Sequence, residues 1–321
     1  MTLVRLGYVA MSMHVPNSSP SQTMTVKSFN KIDNKEAAIL KLGRIARSNL
    51  QNTLRILKHN AAHSIRFYRM TSRLIPLATY EELAGWDYIG AIESDLREVG
   101  DYASENDMRL DFHPDHFVLI NSPKKEVLKM SVKTLMLHRQ LLEGMGINSQ
   151  YRCVLHVGGV YNDRELAMER FIQNWMVVPK TIQEMIILEN DDKSYHLNDT
   201  LYLCEKLGIP LVFDYHHHLA HFQHRNWADE WQRVVATWKD SYLPIKMHIS
   251  SPKDEKQFRS HADYVDAEMF MDFLNEIKGS VPQIDCMIEA KKKDAALFKL
   301  MEDLRGHDNI EIVDGASFYI R

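Results

Sequence analysis

Six segments of this chain place a histidine, an aspartate or a glutamate just after a short apolar run. They are Asp111-Phe112-His113, Leu155-His156, Leu188-Glu189-Asn190, Asp214-Tyr215-His216-His217-His218, Lys246-Met247-His248 with His261-Ala262-Asp263 close behind, and Ile288-Glu289. Imidazole and carboxylate together suit zinc, manganese or iron better than calcium or magnesium alone. At least eight such groups exceed what one tetrahedral ion can use. A cluster of two or three ions is therefore expected, with a carboxylate such as Glu189 bridging. Ions about 3.5–4 Å apart activate water and stabilise the leaving oxygen of a phosphodiester, so the expected chemistry is hydrolysis.

Taken one at a time, these residues say little, because a histidine at a strand end is usually just a satisfied polar group. The run His216-His217-His218 is weak by itself. His221 and His224 read as loop residues, and His14, His59, His63 and His138 as packing or surface residues. The recurrence at six successive elements carries the inference. Spacing adds detail. Asp214 and His217 are three apart across a strand-to-loop turn, which brings both to one cluster. Lys246 and His248 are two apart and share a strand face. A lysine aimed at cations must be neutral or carbamylated; a contact to substrate phosphate is the other reading.

Positioning so many groups at one end requires a repeated element. Short apolar runs recur at Leu3–Met11, Ser64–Tyr68, Arg109–His113, Cys153–Val157, Met185–Glu189, Pro210–Asp214, Pro244–Ile249 and Asp285–Glu289. Between them apolar residues fall three or four apart, as in Leu42-Ile45-Ala46-Leu50-Leu54, Leu128-Val132-Leu135-Leu142 and Phe270-Phe273-Leu274-Ile277, the pattern of amphipathic helices. Eight strand–helix units in 321 residues predict a single (β/α)8 TIM barrel, α/β in class, spanning residues 1–321, with its site at the C-terminal ends of the strands. A doubly wound sheet would carry a Gly-rich phosphate turn, and no GxGxxG occurs. The Ser- and Pro-rich stretch Pro16–Gln22 reads as a mobile loop on the active-site face.

Composition narrows the function classes. The formal charge of −4 excludes generic polyanion binding by bulk electrostatics, so a nucleic acid would need a local basic face or metal ions. No apolar run is long enough to span a membrane and no secretory signal is evident. Three unpaired, widely separated cysteines fit a reducing compartment, so a cytoplasmic protein is expected.

Leu6-Gly7-Tyr8, Phe67-Tyr68-Arg69-Met70, His113-Pro114-Asp115, Leu155-His156-Val157-Gly158-Gly159, Leu188-Glu189-Asn190-Asp191, Asp214-Tyr215-His216-His217, Lys246-Met247-His248-Ile249-Ser250 and His261-Ala262-Asp263-Tyr264 resemble, in order and spacing, the UV damage endonuclease family, relatives of the endonuclease IV barrels. The resemblance covers nearly the whole chain. It implies nicking of DNA immediately 5′ to UV photoproducts, both cyclobutane pyrimidine dimers and 6-4 photoproducts, leaving a 3′-hydroxyl and a 5′-phosphate. It implies metal ligands at His113, His156, Glu189, Asp214, His217, His248, His261 and Glu289, with Asp263 a weaker candidate. Catalytic roles fall to Glu189, Lys246 (carboxylated in this family) and Glu289. The expected cofactor is a cluster of two or three divalent ions, manganese first, with zinc, cobalt or magnesium as alternatives, and no organic cofactor. The expected partner is damaged double-stranded DNA, bound by a monomer that is nucleoid-associated in a prokaryote. Tyr8 and a Gln-Tyr pair after the His-Pro motif probe the lesion in this family; here the pair reads His116-Phe117. Arg69 is the leading phosphate contact, with Arg66 and Lys253 behind it. Tyr80 stands where relatives carry histidine. The rival readings are an abasic-site endonuclease of the endonuclease IV type, a metal-dependent sugar isomerase and a non-enzymatic metal-binding module.

Overall fold

The computed structural model describes residues 1–321. Eight parallel strands, β1 Thr2–Val9, β2 Phe67–Arg69, β3 Arg109–Asp111, β4 Cys153–His156, β5 Ile186–Glu189, β6 Leu211–Asp214, β7 Ile245–Ile249 and β8 Gln283–Ile288, follow the order β3-β2-β1-β8-β7-β6-β5-β4. Phe112, just past the end of β3, bridges Cys153 at the start of β4, and its N–H and C=O bond Arg152 and Val154 at 2.8 and 3.0 Å, which closes the ring. The architecture is a (β/α)8 TIM barrel. All eight expected strands are present, with ends displaced by up to three residues; the second begins at Phe67, not Ser64.

Helices between the strands form the outer layer. The longest, Lys35–Ala62, starts where the Asn34 side chain accepts the Ala37 N–H, and it buries Ala46, Leu50, Leu54 and Leu57 against the barrel. A core of 77 buried residues runs continuously from Val4 to Ile320. The segment Pro16–Gln22, expected to be mobile, is tied to that long helix. Arg55 donates to the carbonyls of Pro16 and Asn17, Asn52 to that of Ser19, and Asn49 exchanges two bonds with Gln22. These long polar helix side chains satisfy the loop backbone and hold it down.

Two elements were not anticipated. After the eighth unit, β9 Ile310–Ile312 and β10 Ser317–Ile320 form an antiparallel pair, and β10 also pairs with β1 over Thr2–Arg5. Strand β1 therefore has β10 beside its first half and β2 beside Gly7–Val9.

The interior of the lower barrel is charged. Arg5 donates to Asp285 at 2.8 Å, and Arg109 bridges Asp285 and Asp111, both at 3.0 Å. Lys246 reaches Asp111 at 3.2 Å, and Arg152 reaches it at 3.5 Å. Lys246, Asp111 and Asp285 are wholly buried. The cage sets four cations against two carboxylates, and the ring of Phe67 lies under both Arg109 and Lys246. Strand alternation then dictates the next layer: two residues beyond Asp111 is His113, and two beyond Lys246 is His248.

Candidate metal centre

Glu189, the last residue of β5 and wholly buried, stands at the centre of that upper layer. Its two oxygens face different partners. Oε2 lies 2.9 Å from His113 Nε2 and 3.6 Å from His156 Nε2; Oε1 lies 2.8 Å from His248 Nδ1 and 3.4 Å from His217 Nδ1. Asp214 Oδ2 is 3.6 Å from His217 Nδ1, and Glu289 Oε1 is 3.2 Å from His248 Nδ1. Three compact groups result, each with ligand atoms within 4.8 Å of one another: His113, His156 and Glu189; Glu189, Asp214 and His217; Glu189, His248 and Glu289. All three share Glu189.

Local folding explains how the residues converge. Asp214 ends β6 and caps the short helix Tyr215–Ala220, its Oδ1 accepting the His217 N–H at 2.7 Å and its Oδ2 left over. Asn190, unremarked in the sequence, bonds the backbone of Asp214 twice, at 2.9 and 3.0 Å, and its carbonyl receives His217 Nδ1 at 3.0 Å. The three adjacent histidines divide their work. His217 faces the cluster, His216 joins Ser250 Oγ to the Phe258 carbonyl, and His218 bonds the Arg225 carbonyl. Where β4 gives way to its loop, Gly158 has φ 121°, and a β-carbon there would collide with Asn121 Oδ1. His261 Nδ1 donates to the Glu289 carbonyl at 2.7 Å, which leaves Nε2 as the nitrogen free to accept. His261 borders the cluster but belongs to none of the three groups.

The electrostatics call for cations. Burial would raise the Glu189 carboxyl, yet His248, His156 and the bond from His113 hold it well below the usual carboxylate range. Glu289 is likewise held low against burial, chiefly by Arg69 and then His248. Burial drops His113 to about 4, which leaves its imidazole neutral, as ligation requires. For His217 burial pulls down, but Asp214, Glu189 and Glu289 prevail and lift it to about 9. A proton is thus recruited where the anionic centre wants positive charge. Three buried polar atoms, His156 Nδ1, His248 Nε2 and Asp214 Oδ2, have no hydrogen-bond partner. Ionised Glu189 and Glu289, the neutral His113 imidazole and the unpaired Asp214 Oδ2 fit divalent transition ions.

A model of the family described as UV-endonuclease UvdE matches residues 4–319. The UV DNA damage endonuclease of Halalkalibacterium halodurans is 51% identical over 311 residues, 97% of each chain. The chain belongs to the UV-endonuclease UvdE family. It is a nuclease by that membership. The crystal structure of SacUVDE, 30% identical, superposes with a TM-score of 0.82 over 94% of this chain and 98% of that one. Endonuclease IV from Thermus thermophilus, 11% identical with a TM-score of 0.54 over 94% of this chain and all of that one, shares the barrel alone.

Several residues with expected family roles are placed where those roles are not directly visible. Tyr8 is wholly buried, its hydroxyl donating to Asn60 Oδ1 at 2.6 Å, so it packs behind the wall and cannot probe a duplex as placed. The amine of Lys246 turns down to Asp111 and joins none of the three groups; burial, with Arg109 and Arg69, outweighs Asp111 and lowers it to about 8. Arg69 is ion-paired with Glu289 inside the mouth and is not a free surface cation. Arg66 lies at the opposite end of the barrel near Asp107, and Lys253 is an exposed partner of Gln257. Asp263 is exposed, opposite Lys292, away from the cluster. Tyr80 packs into a small apolar cluster with Met24, Phe29, Leu42 and Leu83 on the flank. His116 and Phe117, by contrast, are exposed at the rim with ring centroids 4.1 Å apart.

Proposed function

We propose that this endonuclease hydrolyses the phosphodiester immediately 5′ to UV photoproducts in duplex DNA, both cyclobutane pyrimidine dimers and 6-4 photoproducts, leaving a 3′-hydroxyl and a 5′-phosphate. The observation that supports a multi-metal mechanism is the divided carboxylate of Glu189, one oxygen toward His113 and His156, the other toward His248 and His217. Two or three divalent ions held by His113, His156, Glu189, Asp214, His217, His248, His261 and Glu289, with manganese our first assignment, would supply Lewis acidity and a more acidic water at the phosphorus.

The remaining work belongs to side chains. Glu189 holds its neighbouring imidazoles in register from both oxygens. Arg69, once Glu289 engages an ion, is the cation nearest a phosphate entering the mouth. The fully ionised carboxylates keep the centre anionic until cations enter it. Lys246 enters this reading as a carbamate: an amine near pH 8 has a neutral fraction at physiological pH that can add carbon dioxide, losing a proton and becoming an anion.

Lesion recognition is assigned to the rim. Phe117, 72% exposed, offers a face for stacking, with His116 tilted against it. Beside them lies a cavity of about 580 Å³ whose lining includes His116, His156, Gly158 and Asp191. That volume accommodates extruded bases next to the cluster. The test is an end-labelled duplex bearing one thymine dimer, incubated with manganese-loaded protein beside undamaged and abasic duplexes, with His156→Ala as reference. A nick immediately 5′ to the dimer, absent from the variant, is expected. Cleavage of the abasic duplex alone would replace this reading with an abasic-site nuclease.

A further inference from the structure

Behind the wall formed by β1 and β8 lies a second convergence of ligand-type side chains that the catalytic reading does not use. His14 sits on the segment after β1, His59 near the end of the helix Lys35–Ala62, and Asp294 in the first turn of the helix Lys293–Leu304. Asp294 Oδ2 lies 3.2 Å from His14 Nδ1 and 3.1 Å from His59 Nε2. A tetrahedral ion with bonds of 2.0–2.1 Å needs ligand atoms about 3.3–3.4 Å apart, close to both separations.

The Asp294 carboxylate is wholly buried and its orientation is fixed. Oδ1 accepts the N–H of Met13 at 2.7 Å and that of Ala295 at 3.0 Å, while the Ser12 hydroxyl donates to Oδ2. His59 Nε2 is buried and has no hydrogen-bond partner, although Oδ2 is so near. The two atoms are not aligned on each other. Ligands of a common ion behave in this way, because each points at the ion. Protonation favours the same reading: burial holds the His59 imidazole below its ordinary range against the pull of Asp294, and the bonds from Ser12 and Met13 hold Asp294 low against burial. Neutral imidazole and carboxylate are the ligating forms. The Phe298 ring packs against His14, His59 and His63 at centroid distances of 5.3, 6.1 and 4.9 Å and walls one side. His14 is half-exposed, which leaves a solvent-facing position for water.

We propose that His14, His59 and Asp294 form a separate metal site for an ion of the zinc class, completed by water. It clamps the segment after β1 onto two outer helices and thereby steadies that rim of the barrel mouth. The preference for zinc follows from two imidazoles, one carboxylate and near-tetrahedral separations. The experiment compares wild type, His14→Ala and His59→Ala after equilibration with zinc under a fixed chelator buffer. Bound metal per chain is measured by elemental analysis, and thermal midpoints with and without zinc. Both variants are expected to hold about one ion fewer than wild type, to lose the part of the zinc-induced rise in midpoint that this site provides, and to nick DNA at the wild-type rate. His14 is a half-exposed side chain, so His14→Ala keeps the test alive if His59→Ala fails to fold. Equal metal content in wild type and either folded variant would overturn the site, whatever the fate of the catalytic reading.

Discussion

The lower and upper layers of the barrel interior are built by the same strands at positions two residues apart, yet they end in opposite conditions. In the lower layer Arg5, Arg109, Arg152 and Lys246 are cross-linked to Asp111 and Asp285, and Arg109 Nη2 alone lacks a partner. In the upper layer Asp214 Oδ2 is buried and unpaired beside His217, as are His156 Nδ1 and His248 Nε2, the ring nitrogens opposite those that face Glu189. Burying a polar atom without a partner costs about 1–3 kcal/mol, so the upper layer is the less self-sufficient of the two. The lower layer is a linked set of ion pairs, and the upper layer gathers ligand-type groups around one carboxylate.

The largest effect expected from this contrast is at its centre. Glu189→Gln removes the negative charge, and one of the two acceptor oxygens, of a residue shared by all three groups. Nicking should fall by roughly 10³-fold, the upper range for removing one group that stabilises developing charge, with loss of bound metal by elemental analysis. A variant that kept its metal and its rate would erase the distinction between layers. In the lower layer Asp285→Ala should act on stability. It removes the close partner of Arg5 and one of the two carboxylates of Arg109, and urea unfolding should show a loss of about 3–5 kcal/mol. Metal content of the folded fraction should be unchanged.

His138 sharpens the rule from a third place. Its Nδ1 donates to the Thr134 carbonyl at 2.7 Å and its Nε2 is also an orphan, but no ligand group faces it. Burial lowers it to about 4. The native state therefore binds fewer protons than the unfolded chain between pH 6.5 and 4, and stability is lost as pH falls through that window. The loss is roughly 3 kcal/mol. His138→Leu should flatten this acid limb of the unfolding profile and leave metal content alone; a dependence that persists would relocate the titrating group. The smallest effect is expected at the rim. Phe117→Ala should weaken binding to dimer-containing duplex by about 1–3 kcal/mol, measured by fluorescence anisotropy, with stability unchanged within about 0.5 kcal/mol.

Much of the site was legible because strand ends are short and punctuated: His113, His156, Glu189, Asp214, His217, His248 and Glu289 each follow an apolar run, and a barrel gathers such ends. What escaped depends on facing and depth. Tyr8 follows Val4 and Leu6 at alternate positions, the outward face of β1, while Arg5 between them turns inward; motif resemblance alone hid that parity. Arg66 and Arg69 are three residues apart but lie at opposite ends of the barrel, because β2 runs between them. The charge cage was invisible because most of its pairs join residues far apart in the chain, up to 280 positions for Arg5 and Asp285, and only Arg109–Asp111 is local. The β9–β10 pair lies beyond the eighth repeat, where the strand–helix rhythm offers no guide.

The pairing of β10 with β1 also shapes how the molecule must be made. Strand β1 takes as neighbours β8 at Gln283–Ile288 and β10 at Ser317–Ile320, so its pairing depends on contacts of very long sequence separation. Until they form, its edge is an open template for the wrong partner, and folding of so non-local a ring is slow. Without Ser317–Ile320, the Thr2–Arg5 half of one β1 edge would lie open, so β10 covers a stretch of backbone that could otherwise pair wrongly.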